Sequence, residues 1–298
     1  MADFVSFYLM PGVVLGCIYA LGAVGLTLLF GILRFAHFAH GDVMTVGAYV
    51  AFVGVVSFGL TAYQSIPLAI LVSVLLVMAI DRTFYRPLRR ASPIVLLISG
   101  FGVALMLRAA ILFFFGPDGG VYEQGIRRPM IFATEWGRFR IQERHLWIIG
   151  GAVALALTLH LFLTRTRLGK AMRAMSDNPD LARITGIPTE RVILATWAIG
   201  GATAATAGVF LAIDTQVNPM MGMNMLLPIF AAMILGGVGR PWGAVFGGLV
   251  LGIAEELVAA PIWGGQPLLS PAYKVGLSFA VMVLLLIFRP TGLFKGQS

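Results

Sequence analysis

Nine apolar runs punctuate the chain, at residues 7–31, 43–60, 66–80, 93–116, 146–163, 193–213, 226–238, 242–262 and 275–289. Most come close to the roughly 20 residues that a helix needs to cross a hydrocarbon core about 30 Å thick. The pattern predicts an all-α, polytopic integral membrane protein with eight or nine transmembrane helices. The run at 226–238 is short for a complete span and reads as a broken or re-entrant helix. Glycine and proline recur inside the runs, as membrane helices tolerate. No internal repeat and no low-complexity segment divides the sequence, so residues 1–298 read as one membrane domain.

Composition strengthens this picture. The 298 residues are 59% hydrophobic and only 11% charged, against about 25% charged in an ordinary soluble domain. The net charge of +8 does not point to nucleic acid, because the basic residues lie in short loops between apolar runs. Arg82, Arg86, Arg89 and Arg90 follow the third run; Arg165, Arg167, Lys170, Arg173, Arg183 and Arg191 follow the fifth; Arg289 and Lys295 flank the C-terminus. With nine spans all three groups fall on one side, which the positive-inside rule makes cytoplasmic. The loop at 117–145 strains the rule with Arg127, Arg128, Arg138, Arg140 and Arg144, offset by Asp118, Glu123, Glu135 and Glu143. Its neighbours place it outside, together with the N-terminus. Asp3 and the lack of a basic leader predict that the first run is retained as a span.

The loop Thr164–Val192 carries helix punctuation. Asn178 caps a short helix that starts at Pro179, and Gly186 ends it before Pro188. Leu181 and Ile184 share one face of that helix, and an earlier one over 168–175 shows Met172 and Met175. Two readings stand on spacing alone: a docking surface for a soluble partner, or a surface loop whose arginines meet lipid headgroups.

Three further groups are chemically suggestive. In LRFAHFAHGD, His37 and His40 lie three apart ahead of Asp42; the expectation is an interfacial helix break hinged at Gly41, with a metal pair the lesser reading. Gly239, Gly243, Gly247, Gly248 and Gly252 include three pairs at four-residue spacing, which lets helix backbones approach closely. Glu255 and Glu256 fall late in an apolar run. An ionisable group at membrane depth suggests function by default, and the expectation here is an outer-interface pair or a capped buried contact. Arg108 lies about 12 Å inside its run, measured as helix, and is expected to snorkel outwards, as is His160.

Several chemistries lack residues. Cys17 is the single cysteine and lies in the first run, so neither a disulfide framework nor a metal site is predicted. A phosphate-binding GxxxxGK[ST] loop is missing, so ATP, if used, binds a separate subunit. A nucleophile elbow and an HExxH helix are missing too, so the chain does not read as an enzyme, and no cofactor is implied.

Three ordered blocks carry a resemblance: GCIYALGAVGLTLLFGILRFAHFAHGD at Gly16–Asp42, DLARITGIPTERVILATWAIGGATAATAGV at Asp180–Val209, and AAMILGGVGRPWGAVFGGLVLGIAEE at Ala231–Glu256. The chain resembles the inner-membrane permeases of branched-chain amino-acid ABC importers, the LivH type. That family usually carries asparagine at the position of His37. The resemblance implies a five-part importer of the bacterial inner membrane: a periplasmic binding protein, this permease with a related second one, and two ATPase subunits. It also implies that Ala171 to Pro188 is the coupling segment, with Ala171, Asp180, Ala182, Gly186, Ile187 and Pro188 at its contact positions. Urea, short amides and other amino acids are substrates of relatives, and an autonomous secondary transporter is the more distant alternative.

The charge pattern generates a topology prediction. Single cysteines placed at positions 86 and 173 in a Cys17→Ala background should resist impermeant thiol reagents applied from outside. Ready labelling at both positions would reverse the orientation.

Overall fold

A computed structural model describes residues 2–89, 91–123, 129–134, 137–261, 267–270, 273–289 and 291–294. Arg90, Arg127, Arg128, Glu135, Lys295 and the side chain of Arg138 lie outside this description. Among the described residues, seven helices are long and apolar enough to cross a membrane: α1 (Ala2–Leu33), α2 (His40–Phe58), α3 (Ile66–Leu88), α4 (Pro93–Phe115), α5 (Glu143–Arg165), α8 (Thr189–Asp214) and α10 (Pro241–Val258). Between α5 and α8 lie the short helices α6 (Arg167–Asp177) and α7 (Pro179–Ile184). Two shorter apolar helices, α9 (Met221–Gly236) and α11 (Lys274–Phe288), complete the set. Every predicted run thus has its helix. At 16 residues, α9 is only about 24 Å long; it runs unbroken through Pro228, not as the broken helix expected. The strands among the described residues form a hairpin in the loop before α5, where β1 (Met130–Thr134) pairs antiparallel with β2 (Gly137–Ile141).

Local chemistry shapes two of the long helices. Proline lacks an N–H and its ring presses on the carbonyl four residues back. Pro11 and Pro87 each follow a wider π turn, at Val5–Leu9 and Asp81–Tyr85. There the amides of Met10 and Arg86 reach back five residues to the carbonyls of Val5 and Asp81. A π turn of this kind absorbs the misfit without breaking the helix.

Helix α1 is the axis of the fold. Its most apolar 18-residue window is 83% buried, against 22% for α5 and 28% for α3. Helices α8, α9 and α10 pack directly on it. Helix α10 has two glycine faces. On one, a side chain at Gly248 would meet the Ala20 backbone at 2.6 Å, and Gly252 lies against Gly16 and Gly12. Gly12 and Gly16 return the contact: a Cβ on them would stand 3.0 Å from the Cα of Ile253 and 2.9 Å from that of Leu249. On the other face, Gly243 and Gly247 lie against Gly236 and Ala232 of α9. Gly239 is not part of either face. It sits in the α9–α10 turn at φ +81° and donates its N–H to Thr27 Oγ1 at 2.8 Å. The Gly239/Gly243 spacing therefore crosses a helix end instead of running along a helix.

These contacts generate a graded prediction. Gly248→Leu and Gly247→Leu should each destabilise the fold by about 1–3 kcal/mol, the usual cost of overpacking. Gly150→Leu should be nearly silent, because no atom lies within 4 Å of a side chain there. Thermal melting of the detergent-solubilised variants reads the difference; equal melting points for all three would refute the close approach.

Candidate functional site

The segment between α5 and α8 is built from caps. Thr166 Oγ1 accepts the amide of Gly169 at 2.9 Å and starts α6. Asn178 Oδ1 accepts the amide of Leu181 at 3.0 Å and starts α7. Gly186 ends α7 in the left-handed region at φ +82°. Its amide donates to Arg183 and that of Ile187 to Ala182, the paired bonds of a Schellman motif. The two helices differ in what they show. Met172 and Met175 are buried under α6, contrary to the expectation that they are displayed. Ala182 is buried too, and Ile187 packs against the core. Leu181 and Ile184 of α7 are instead 58% and 82% exposed. Asp180, Gly186 and Pro188 are exposed beside them, and Ala171 is half-buried. Alongside, Arg89 donates to Glu190 Oε1 at 2.8 Å and to Asp81 Oδ2 at 2.7 Å. The arginine-rich ends of α3 and of the α6–α7 segment therefore lie together.

The connection between α1 and α2 is a buried break. Arg34, at φ +59°, is the one non-glycine residue with positive φ among the described residues, and it closes α1 by donating its amide to Phe30. Gly41 is not the hinge: it lies in the first turn of α2, packed against the backbone of Gly222. His37 lies in the connection and His40 begins α2, with ring centroids 6.0 Å apart. His37 is edge-on to Trp197 at 5.0 Å and to Tyr85 at 5.5 Å. The ring of His40 is tied to the Gly22 carbonyl at 3.0 Å. The described residues contain no group of three or more histidine, cysteine or acidic side chains that could hold a metal.

Several charged groups inside the bundle are paired. Arg108 does not snorkel. It forms a two-pronged pair with Asp42, Nε to Oδ1 and Nη2 to Oδ2, both at 3.0 Å, with the side chains 13% and 1% exposed. The Asp42 carboxylate, on a helix that packs against α4, holds the guanidinium inside the bundle in place of the interface. Glu255 is buried and accepts Tyr19 Oη at 2.7 Å and the hydroxyl of Ser278. Both oxygens of Glu256 accept Lys274 Nζ at 2.7 Å. His160 is half-buried, and its Nδ1 accepts the indole N–H of Trp242 at 2.8 Å. Carboxylates tied in this way fasten helices together. A proton-coupled carrier would need one that is free to change partners.

The comparisons decide the family. Residues 8–286 match the family described as branched-chain amino acid transport system / permease component. The chain belongs to that family. The permease is 34% identical to the high-affinity branched-chain amino acid transport permease LivH of Escherichia coli K12, covering 95% of this chain and 92% of that one. It is 32% identical to BraD of Pseudomonas aeruginosa, covering 96% and 94%. Its fold is also that of a metal-chelate type ABC transporter solved in an inward-facing conformation, with TM-score 0.51 at 13% identity over 96% of the permease and 88% of that chain. The permease is a multi-pass protein of the bacterial inner membrane, and its family provides transport.

The buried pair generates a test of its own. Removing one partner of a buried ion pair leaves a stranded charge and costs about 3–5 kcal/mol. Arg108→Leu should therefore lower stability strongly in the permease. The double variant Arg108→Leu/Asp42→Leu should recover most of the loss. A double variant as unstable as the single one would show that Arg108 acts other than through Asp42.

Proposed function

We propose that the permease translocates leucine, isoleucine, valine or a closely related amino acid. It would work with a second related permease, two ATP-binding subunits and a periplasmic binding protein. The observation that carries this reading is the match to branched-chain amino-acid permeases over almost the whole chain at about one-third identity. The match runs through the core helices and the α6–α7 segment alike, so it covers the transport body and its attachment points together.

The α6–α7 segment is the place where ATP hydrolysis would be transmitted. Two short, firmly capped helices can move as a rigid body, and alternating access needs such a two-state element. The exposed pair Leu181 and Ile184 offers a soluble partner an apolar anchor, and Arg183 and Asp180 supply charge at its rim. Large apolar side chains on a solvent-facing helix cost solubility unless something covers them. The headgroup reading accounts for the arginines, and an exposed Ile184 fits a membrane surface as well as a protein partner; the family match favours the partner.

Purified transporter in liposomes tests both halves. Binding-protein-dependent uptake of radiolabelled leucine should be driven by ATP. Uptake of urea in its place would reassign the substrate, and leucine uptake without ATP would overturn the importer reading. Ile184→Asp with Leu181→Asp should weaken ATPase attachment by on the order of tenfold, equivalent to about 1.4 kcal/mol, while insertion continues. Gly186→Val should lower coupled ATP hydrolysis, because a β-branched residue resists the left-handed conformation. Normal coupling in both well-inserted variants would remove the segment from the coupling role.

A further inference from the structure

Helices α5 and α10 both lie on α1 and pack chiefly on it, leaving a groove between them. The groove holds two adjoining cavities of about 560 and 140 Å³ that share Val24, Ala156, Leu159, Trp242 and Val245. The smaller is lined by apolar side chains and Cys17, with Cys17 and Leu21 of α1 as its floor and Ala152 and Leu249 on its walls. The larger opens at the end where α6 and the α9–α10 turn meet, and there the lining turns polar and basic, with Arg173, Arg240, His160 and Thr27. The groove therefore changes from hydrocarbon-like to cationic along its length.

We propose that this groove binds one anionic phospholipid, its phosphate held by Arg173 and Arg240 and one acyl chain lying along α1. Both arginines are exposed, and neither has an ion-pair partner among the described residues, although Asp177 also lines the cavity. Basic pockets between transmembrane helices on the cytoplasmic side suit anionic headgroups, and the loops on this side are the arginine-rich ones. His160 contributes a donor. Its Nδ1 accepts the Trp242 indole N–H, so the neutral ring carries its proton on Nε2 and can donate to a headgroup oxygen. The small alanines of α5 leave the narrow end open. A cavity of about 140 Å³ is too narrow to enclose a partner helix, which with side chains is about 10–12 Å across, whereas part of one hydrocarbon chain fits it. A free phosphate would leave the apolar end unexplained.

Native mass spectrometry of the assembled transporter, delipidated in mild detergent and then titrated, tests the assignment. Three probes are used: phosphatidylglycerol, phosphatidylethanolamine and inorganic phosphate. One phosphatidylglycerol per copy of this chain should bind on the order of tenfold more tightly than phosphatidylethanolamine, and phosphate alone should not bind. Arg173→Gln/Arg240→Gln should abolish that preference, whereas Arg289→Gln, at the end of α11 and outside the groove, should keep it. Ala156→Trp should fill the groove and reduce binding of both lipids. Equal affinity for the two lipids, an unchanged preference in the double arginine variant, or saturable binding of phosphate alone would each overturn the proposal. So would loss of a partner subunit from the Ala156→Trp protein with its lipid count unchanged, which would make the groove a protein interface.

Discussion

Helix α1 meets α10 backbone to backbone, and the arrangement of the remaining helices follows from that contact. Inside a bilayer, apolar side chains gain little by leaving lipid for protein, so association depends on close van der Waals packing and internal hydrogen bonds. Gly12, Gly16 and Ala20 on α1 face Gly248 and Gly252 on α10, and no side chain separates the two main chains. The second glycine face of α10, Gly243 and Gly247, draws in α9 in the same way. With α8 also packed on α1, the first helix becomes the most enclosed element, and α3, α4 and α5 are left largely facing outwards. A leucine-rich α10 would be equally apolar, but it would hold its neighbours farther away and lose the dispersion contacts that fix them.

Polar groups in such a core have no water to fall back on, and the charged ones act as fasteners between particular helices. Asp42 on α2 and Arg108 on α4 hold together two helices that also meet through the rings of Tyr49 and Phe115, 4.7 Å apart. Glu255 joins α10 to Tyr19 on α1 and to Ser278 on α11. Glu256 adds Lys274 of α11. Lys274 and Ser278 are one helical turn apart, so two adjacent carboxylates set both the position and the rotation of a 15-residue helix whose surface is mostly exposed and apolar. Apolar contact alone would let α11 rotate; the paired bonds select one rotation.

The order and extent of the helices could be read from the sequence because hydropathy is a local property, and each apolar run coincides with one helix. The capped ends of α7 were legible for the same reason: Asn178, Pro179 and Gly186 act within a turn of where they stand. What could not be read depends on neighbours distant along the chain. Arg108 looks like a snorkelling residue until Asp42, 66 positions away, comes beside it. Gly41 looks like a hinge until Gly222 is found against it, while the break itself is made by Arg34, a residue type that rarely adopts positive φ. Met172 and Met175 share a face of α6, but periodicity cannot say whether that face turns towards water or protein. The glycine spacings in α10 pointed to close packing, yet only the fold shows that they belong to two opposed partners.

The same glycine-packed trio also bears on how motion at the α6–α7 segment could reach the membrane core. Arg34, at the closed end of α1, donates Nη2 to the carbonyl of Ser176 at 3.0 Å, which grips the last turn of α6. Gly31, one turn earlier on α1, has both the Ser176 hydroxyl and Gly239 of the α9–α10 turn where its side chain would stand. That turn is bonded back to α1 through Thr27. A displacement of α6 would therefore press on the ends of α1, α9 and α10 at one point. Those three helices have almost no free volume between their backbones, so they cannot absorb the push by compressing. Packed interfaces of this kind tend to have discrete arrangements in place of a continuous range. The tightness that gives α1 its central place would then make the bundle respond to the segment as a unit, with the looser α4 and α5 following at the rim.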